Sequence, residues 1–286
     1  MKSVTAVIPT VGRDSLRAAV DSVVAQTAST DVIVVVDRPS ELPSVQSMLS
    51  GVSCRIVATE GKRGGGFARN LGSQLADTEF VAYLDDDDWW VPEKIASQLS
   101  LCAQRDPSRD VLAAARMYFH RARSSSVIPT HSWTSSDVAS YLVQRSSLEF
   151  GSHAIQTSSL LVSKSLWERI KWDETLKKHQ DWDFVSRCAR DDQTDFYWSS
   201  EPLSHVVQDS MSSVSKRPDW QASRIWLDIH RDFLTKQARG DFVASQILRS
   251  ALQARSMAGL RLAVRELVGS RPHAAAVIVG LSGLRG

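Results

Sequence analysis

The sequence of 286 residues contains few cysteines and no long apolar run. Its three cysteines, Cys54, Cys102 and Cys188, lie far apart and lack the spacing of a metal-binding motif. An odd, sparse set of this kind argues against a disulfide-stapled secreted scaffold and indicates a reducing compartment. No apolar stretch reaches membrane-spanning length, and no signal peptide precedes the first apolar segment. We therefore expect a cytoplasmic protein.

Acidic residues are scarce in the last quarter of the chain. The net charge of the whole sequence is +2. From Lys216 onward there are 12 basic and 5 acidic residues, a charge of +7, so the preceding part carries −5. Such an asymmetry can signal a polyanionic partner or an anionic membrane surface. We do not expect nucleic-acid binding, because the basic residues are spread over several predicted helices and aromatic residues are few.

Strand-like and helix-like segments alternate through the first part of the chain. The segment 32–36 is apolar at every position, which favours a parallel strand covered on both faces. The alternation predicts a right-handed, parallel α/β sheet. Strands are predicted at 4–8, 32–36, 55–58, 80–84, 111–119, 159–162 and 196–198. A loop is predicted at 121–133, a helix at 137–143, and only helices from residue 220 onward.

Four consecutive carboxylates, Asp85 to Asp88, follow the apolar segment 80–84. Open α/β sheets bind ligands at the carboxyl ends of their strands, and clustered carboxylate oxygens suit Mg²⁺ or Mn²⁺. The alternative is a solvated acidic turn. We predict a metal site with Asp87 as the first ligand and Asp85 as the second. Asp86 is expected to face the ribose or sugar of a donor, and Asp88 to cap the next helix.

Six short motifs occur in order within residues 3–215. They are VIPT at 7–10, SVVAQT at 22–27, VVVD at 34–37, ARN at 68–70, LDDDDWWVP at 84–92, and WDETL with HQDWDF at 172–184. Together they resemble the family 2 glycosyltransferases, inverting enzymes of the GT-A fold that use nucleotide-sugar donors. The resemblance implies a mixed, mainly parallel sheet with helices on both faces. A C-terminal helical appendage follows it here.

The resemblance places the catalytic general base on Asp181. Inversion needs such a base beside the acceptor hydroxyl, and a neighbouring aromatic group such as Trp182 should raise its pKa. Asp181 could instead cap a helix, and Asp183 is the alternative base. The sequence departs from the family at Gln180, where Glu is common, and at Arg38, where a second acidic residue is usual.

The same resemblance distributes the other candidate residues. Arg69 either pairs with the donor diphosphate or forms a salt bridge with a nearby carboxylate. His205 is a candidate third metal ligand, although the family register would put Gln208 there. The expected donor-binding residues are Pro9, Thr10, Arg13, Asp37, Arg69, Asp85 and Asp86. The expected acceptor-binding residues are Gln156, Thr157, Ser158 and Trp182.

These assignments predict a glycosyltransferase that depends on Mg²⁺ or Mn²⁺ and inverts the anomeric centre. It would transfer a hexosyl or deoxyhexosyl group to a glycan, lipid-linked or small-molecule acceptor in polysaccharide biosynthesis. The predicted catalytic domain is 1–215, with a nucleotide-sugar-binding half at 1–100 and an acceptor-binding half at 101–215. The alternatives are a sugar-nucleotidyltransferase, which lacks support from a Gly-rich opening loop, and a catalytically inactive nucleotide-sugar-binding module.

The predicted helical region 216–286 combines recurring arginines with an uncharged segment at 274–281. A basic helix followed by an apolar one is typical of a peripheral membrane contact, which would place the protein at the inner face of the membrane. The alternative is that these helices pack on the catalytic domain or form a homodimer. The sequence leaves both interpretations open.

Overall fold

The computed structural model describes residues 4–103, 105–122, 124–133, 137–208 and 218–285. It divides into two compact units. The first comprises Met1–Val127, Ile155–Thr175 and Arg187–Asp209, and the second comprises Ile128–Ala154, Leu176–Ser186 and Ser210–Gly286. The predicted boundary between residues 215 and 216 lies outside the described residues.

The strands form one sheet. They are β1 Val4–Thr10, β2 Thr30–Val36, β3 Arg55–Ala58, β4 Phe80–Tyr83, β5 Trp89–Trp90, β6 Asp110–Arg121, β7 Ser124–Ile128, β8 Leu161–Ser163 and β9 Thr194–Val207. Their order is β3-β2-β1-β4-β8-β6-β9-β5, and β7 pairs with β6. The pairs among β1 to β4 are parallel, whereas β8 runs antiparallel to both neighbours. This mixed, mainly parallel sheet confirms the predicted α/β architecture.

Helices occupy the connections and the C-terminal region. They are α1 Leu16–Val24, α2 Leu42–Met48, α3 Gly65–Gln74, α4 Lys94–Leu101, α5 Val138–Val143, α6 Lys164–Ile170, α7 Gln180–Cys188, α8 Trp220–His230, α9 Lys236–Phe242, α10 Arg249–Gln253, α11 Met257–Leu267 and α12 Ala274–Leu281. A π-helical segment, Val243–Leu248, joins α9 to α10. The predicted C-terminal helices are therefore present.

The parallel strands explain why the candidate site residues lie at one edge of the sheet. Residues 32–36 of β2 are all buried, as their uninterrupted apolar character predicts. Because β1, β2 and β4 are parallel, the segments after Thr10, Val36 and Tyr83 emerge at the same edge. Asp37 and the four carboxylates after β4 are brought to that edge by this topology.

Pro9 limits the pairing of β1 with β4. The Val7 carbonyl accepts a hydrogen bond from the Leu84 backbone N–H, so Val7 faces the β4 side. Pro9, two residues later, faces the same side. Because proline has no N–H to donate, it cannot add the next hydrogen bond of this ladder. The strand β4 accordingly pairs only as far as Tyr83, opposite Val7.

Part of the predicted loop at 121–133 is wrong. Residues 124–128 form β7, which pairs with β6. The serines there have weak strand propensity, but pairing with a long neighbouring strand overrides it. The predicted strand at 196–198 is likewise only part of β9, which has 14 residues.

In the second unit, a buried carboxylate ties helices together. Asp241 of α9 accepts hydrogen bonds from the backbone N–H groups of Arg145 and His273, at 2.8 and 2.7 Å. The His273 imidazole lies 2.6 Å from the same carboxylate. These bonds satisfy a charge that would otherwise be expensive to bury.

Across the described ranges, no helix is both long and apolar enough to cross a membrane.

Replacing Gly72 by alanine should destabilise the first unit. A Cβ at Gly72 of α3 would lie 2.3 Å from Cγ1 of Val7 and 3.2 Å from Cγ2 of Val35. Overpacking of this kind costs about 1–3 kcal/mol, which outweighs the helix propensity gained by alanine. Denaturant unfolding should therefore show a lower free energy of unfolding for Gly72→Ala.

The matched control is Gln74→Ala in the same helix, where the side chain is exposed. Its free energy of unfolding should stay within about 0.5 kcal/mol of the wild type. Equal stability of the two variants would refute the close packing of α3 on β1 and β2.

Candidate active site

Asp86 is buried in a network with the end of β1. Its Oδ2 accepts a hydrogen bond from Thr10 Oγ1 at 2.6 Å, and its Oδ1 pairs with Arg13 Nη1 at 2.5 Å. Burial raises the pKa of Asp86, while Thr10 and Arg13 oppose that shift. The structure thus brings together three of the predicted donor-binding residues.

Asp85 is held by Arg69 of α3. Arg69 Nη2 lies 2.5 Å from Asp85 Oδ1, and the guanidinium also lies over the ring of Trp172, 4.9 Å from its centroid. The Asp85 backbone N–H donates to Ser158 Oγ at 3.1 Å. Arg69 therefore makes the salt bridge that was one of its two predicted roles, and its contact with a diphosphate stays a prediction.

Asp87 has the longest ion pair of the three carboxylates in the cluster that pair with an arginine. Its ion pair with Arg13 is 3.3 Å long, compared with 2.5 Å for Asp86 and Asp85 with their arginines. Burial and the neighbouring charge of Asp85 raise the pKa of Asp87 to about 6. Arg13 opposes this shift only in part, so a bound cation would further favour the ionised carboxylate.

Asp88 points into the protein and does not cap the next helix. Helix α4 begins at Lys94, and its N-cap residue is Glu93. Asp88 instead accepts hydrogen bonds from Ser158 Oγ at 2.5 Å and from the Val207 backbone N–H at 2.9 Å. Burial, with the charge of Asp85, raises the pKa of Asp88 well above its ordinary value. The capping prediction is wrong because a strand, β5, follows the cluster.

Asp37 organises the loop that leads into α3. Its carboxylate accepts hydrogen bonds from Thr59 Oγ1 and from the backbone N–H groups of Arg63 and Gly64, at 2.6, 3.0 and 2.8 Å. Gly64 has φ of 88°, which favours glycine. Gly64 therefore belongs to a turn that is hydrogen-bonded to the end of β2, and Gly65 and Gly66 begin α3.

The predicted acceptor residues of the first unit form a 3₁₀ turn, Thr157–Ser159, that follows Gln156. Thr157 and Ser158 are buried, and Gln156 is partly exposed. Ser158 bridges the Asp85 backbone and the Asp88 side chain, so it stabilises the carboxylate cluster. Its predicted contact with an acceptor is untested by this geometry.

His205 belongs to an aromatic stack with a second histidine. It stacks on Trp89 and Tyr118, with ring centroids 4.8 and 4.6 Å away. Its Nδ1 lies 2.8 Å from Nε2 of His120, so one imidazole donates to the other. Burial, and then the neighbouring His120, lowers the pKa of His205. His120 carried no sequence signal, because it reaches His205 only through the pairing of β6 with β9.

No group of three His, Cys, Asp or Glu side chains has a metal-holding arrangement in the part of the chain that the structure describes. Asp85, Asp87 and His205 accordingly stay predicted ligands. Asp85 and Asp87 are two residues apart in the segment after β4, whereas His205 is on β9 and hydrogen-bonded to His120.

In the second unit, Asp181 occupies the first turn of α7. Its Oδ1 accepts a hydrogen bond from the Trp182 backbone N–H at 2.9 Å. Asp181 and Trp182 are partly exposed, whereas Asp183 is fully buried and lies 3.0 Å from Nε2 of His230. The two candidate bases thus have different environments.

His179, just before α7, is not among the predicted site residues, but the structure gives it a role in positioning α7. Its φ of 59° is unusual for a residue with a side chain. Its ring stacks on Trp182 at 4.8 Å, and its Nε2 lies 3.0 Å from Ser223 Oγ of α8. Burial lowers the pKa of His179 to about 3, so the imidazole is neutral at pH 7. These contacts fix the backbone that leads to Asp181.

The family model for glycosyl transferase family 2 matches residues 5–168. The chain belongs to glycosyl transferase family 2. The family and the enzyme class predicted from the motifs are confirmed. The chain is a nucleotide-sugar glycosyltransferase rather than a sugar-nucleotidyltransferase. The match includes Asp85 to Asp88 but ends before Asp181 and His205, whose roles it leaves as predictions.

Relatives of this family 2 glycosyltransferase include two bacterial proteins. It is 28% identical over 221 residues to the amylovoran biosynthesis glycosyltransferase AmsB of Erwinia amylovora, an overlap of 72% of this chain and 70% of that protein. It is 28% identical over 193 residues to the succinoglycan biosynthesis protein ExoW of Rhizobium meliloti, covering 62% and 60% respectively.

The fold of the family 2 enzyme matches that of S. aureus TarS, solved in complex with UDP-GlcNAc. The TM-score is 0.59 with 16% sequence identity, and the match covers 100% of this chain and 92% of that chain. At this identity the likeness shows a shared fold, and it confirms the predicted fold class.

The raised pKa of Asp87 predicts a stability that depends on pH. Because the folded-state pKa is raised, protonated Asp87 favours the folded state, and stability is lost as the pH rises from about 4 to above 6. Asp87→Asn removes this loss. Without divalent cations, the variant should be more stable than the wild type by about 1–3 kcal/mol at pH 7. The two should be similar at pH 4, as measured by urea unfolding in EDTA.

The control is Asp85→Asn, which takes the carboxylate away from the buried Arg69. It should lower the free energy of unfolding at pH 7, because a buried cation loses its partner. If Asp87→Asn were destabilised at pH 7 like the control, the folded protein would favour the ionised form of Asp87, and its pKa would not be raised.

Proposed function

We propose that this enzyme is an inverting glycosyltransferase, dependent on Mg²⁺ or Mn²⁺, that acts in polysaccharide biosynthesis. The observation that carries the proposal is the carboxylate cluster at the edge of the sheet. Asp85, Asp86 and Asp88 are each held by short hydrogen bonds from protein groups, whereas Asp87 has a longer ion pair with Arg13 and a raised pKa. The segment Asp85-Asp86-Asp87 has the form of a DxD motif.

The cluster is chemically suited to a divalent cation. Carboxylate oxygens are the preferred ligands of Mg²⁺ and common ligands of Mn²⁺, and a bound cation would favour the ionised form of Asp87, which burial and Asp85 disfavour. Asp87 would hold the cation, with Asp85 as second ligand and His205 as candidate third. When bound, the cation would act as a Lewis acid that stabilises the departing diphosphate.

The arginines of the cluster support binding of a diphosphate. Arg13 and Arg69 each present a guanidinium beside the carboxylates, and Asp86 and Asp85 hold them in place. A guanidinium can bind a carboxylate and a phosphate oxygen at once, since it has five donors. Asp37 holds the loop at 59–64 and would lie on the side of the site that binds the nucleoside. Pro9 and Thr10, at the end of the adjacent strand, would lie on the same side.

Asp181 is the proposed general base. It would accept the proton of the acceptor hydroxyl while that oxygen attacks the anomeric carbon from the face opposite the diphosphate. Its partial exposure supports this role over the alternative Asp183, which is buried against His230. Trp182 is partly exposed beside it and is the proposed acceptor platform, with Gln156, Thr157 and Ser158 as further candidates.

The relatives named for amylovoran and succinoglycan biosynthesis support a role in polysaccharide biosynthesis. A glycan or lipid-linked acceptor and a cytoplasmic location near the membrane belong to the same proposal. The test is a panel of nucleoside-diphosphate sugars incubated with Mn²⁺, with release of nucleoside diphosphate as the measurement. One donor should be turned over, and EDTA should abolish the release. Turnover that continues unchanged in EDTA would refute the dependence on metal.

The two acidic residues of α7 should respond differently to replacement by asparagine. Asp181→Asn should lower kcat by about 10²–10⁴-fold with little change in the KM for the donor, because a base acts mainly in the transition state. Its thermal stability should be close to that of the wild type. Steady-state kinetics and thermal unfolding measure the two effects.

Asp183→Asn provides the comparison. It removes the charged partner of the buried His230, so its main effect should be lower stability, with kcat of the folded fraction affected less than in Asp181→Asn. If Asp183→Asn lost turnover without losing stability while Asp181→Asn stayed active, the base would be Asp183.

A further inference from the structure

Exposed apolar side chains are concentrated in the C-terminal helices. Of the twelve large apolar side chains that are exposed among the described residues, six lie in a segment of 28 residues near the end of the chain. They are Met257, Val264, Val268, Ile278, Leu281 and Leu284. Scattered exposed apolar residues need no explanation, but this local concentration does.

On α11 these residues share a helical face with arginines. Met257, Arg261, Val264 and Val268 follow one another at intervals of four, three and four residues, which places them on one side of the helix. Val264 and Val268 are 61% and 75% exposed. The opposite side is buried at Gly259, Ala263 and Glu266, so the helix has already used its other face for packing.

Helix α12 has the same arrangement without charge. Ala274, Ile278 and Leu281 are spaced by four and three residues and are exposed. On the buried side, a Cβ at Gly280 would lie 2.5 Å from the carbonyl oxygen of Ala244. This close contact with the π-helical segment fixes the rotation of α12, so its apolar stripe cannot turn inward.

The charge around these stripes has one sign. From Arg249 to Arg285 the sequence contains a single acidic residue, Glu266. Glu266 is buried and lies 3.2 Å from Arg231 and 3.5 Å from Arg265. The exposed basic residues of the segment are Arg249, Arg255, Arg261, Arg265 and Arg271. The surface is therefore apolar and cationic together.

We propose that the exposed faces of α11 and α12 bind the surface of an anionic lipid bilayer. The apolar side chains would enter the boundary between headgroups and acyl chains, and the arginines would contact lipid phosphates while their alkyl stems lie along the apolar layer. The proposal goes beyond the glycosyl transfer and does not depend on the identity of donor or base. It would hold the enzyme where lipid-linked acceptors are found.

A second copy of the chain fits this surface less well. A two-fold interface brings the same patch of both subunits together, so the arginines of one copy would face those of the other. The segment offers no exposed carboxylate to pair with them. An anionic bilayer supplies the missing negative charge and also covers the apolar stripe.

The test is flotation of the full chain with vesicles of phosphatidylcholine and phosphatidylglycerol, and with vesicles of phosphatidylcholine alone. Two double variants remove one component each: Arg261→Gln with Arg271→Gln, and Val264→Ser with Ile278→Ser. The control, Arg17→Gln with Val24→Ser, changes an exposed arginine and an exposed apolar residue of α1 in the first unit. Thermal unfolding verifies that all variants are folded.

The wild type and the control should bind vesicles that contain phosphatidylglycerol, and high salt should release them. Each arginine removed should weaken the binding about fivefold, and the apolar double variant should bind more weakly at every salt concentration. Three results would overturn the proposal. They are absence of binding by the wild type, equal binding to both kinds of vesicle, and a dimer in light scattering that the same variants dissociate without any flotation.

Discussion

The compensation of four adjacent carboxylates is the constraint on which the rest of the first unit depends. Like charges at this separation repel, and the cluster is partly removed from water. Arg13, Arg69 and Ser158 come from three different parts of the chain to meet Asp86, Asp85 and Asp88. The parallel strands bring these segments to one edge, so the fold serves to assemble the charge pairs. Of the three carboxylates that pair with an arginine, Asp87 has the longest ion pair, and we assign cation binding to it.

The local sequence was sufficient to predict which residues lie at the edge of the sheet, but not which groups form hydrogen bonds with them. The strand before Asp85 and the buried strand 32–36 follow from apolar pattern alone, and parallel connection then brings Asp37 and Asp85 to the same edge. The role of Asp88 was predicted wrongly, because its hydrogen bonds come from Ser158 and Val207, far away in sequence. Long-range pairs of this kind have no local signal.

The histidines illustrate the same limit. His205 was a candidate ligand although the family register would place Gln208 there. Its neighbour His120 is defined by the register between β6 and β9, which shifts near Arg116. A register with a bulge cannot be read from one strand. Likewise, the contacts of His179 and Asp183 with α8 depend on how the C-terminal helices pack within the second unit.

The proposed function requires that the ionised carboxylate of Asp87 bind a divalent cation. Calorimetric titration of Mn²⁺ into the enzyme with nucleoside diphosphate, at pH values on either side of 6, measures this binding. We expect binding at pH 7.5 that weakens as Asp87 becomes protonated below about pH 6, and that Asp87→Asn abolishes. Mn²⁺ affinity that is independent of pH, and equal in the wild type and the variant, would contradict it.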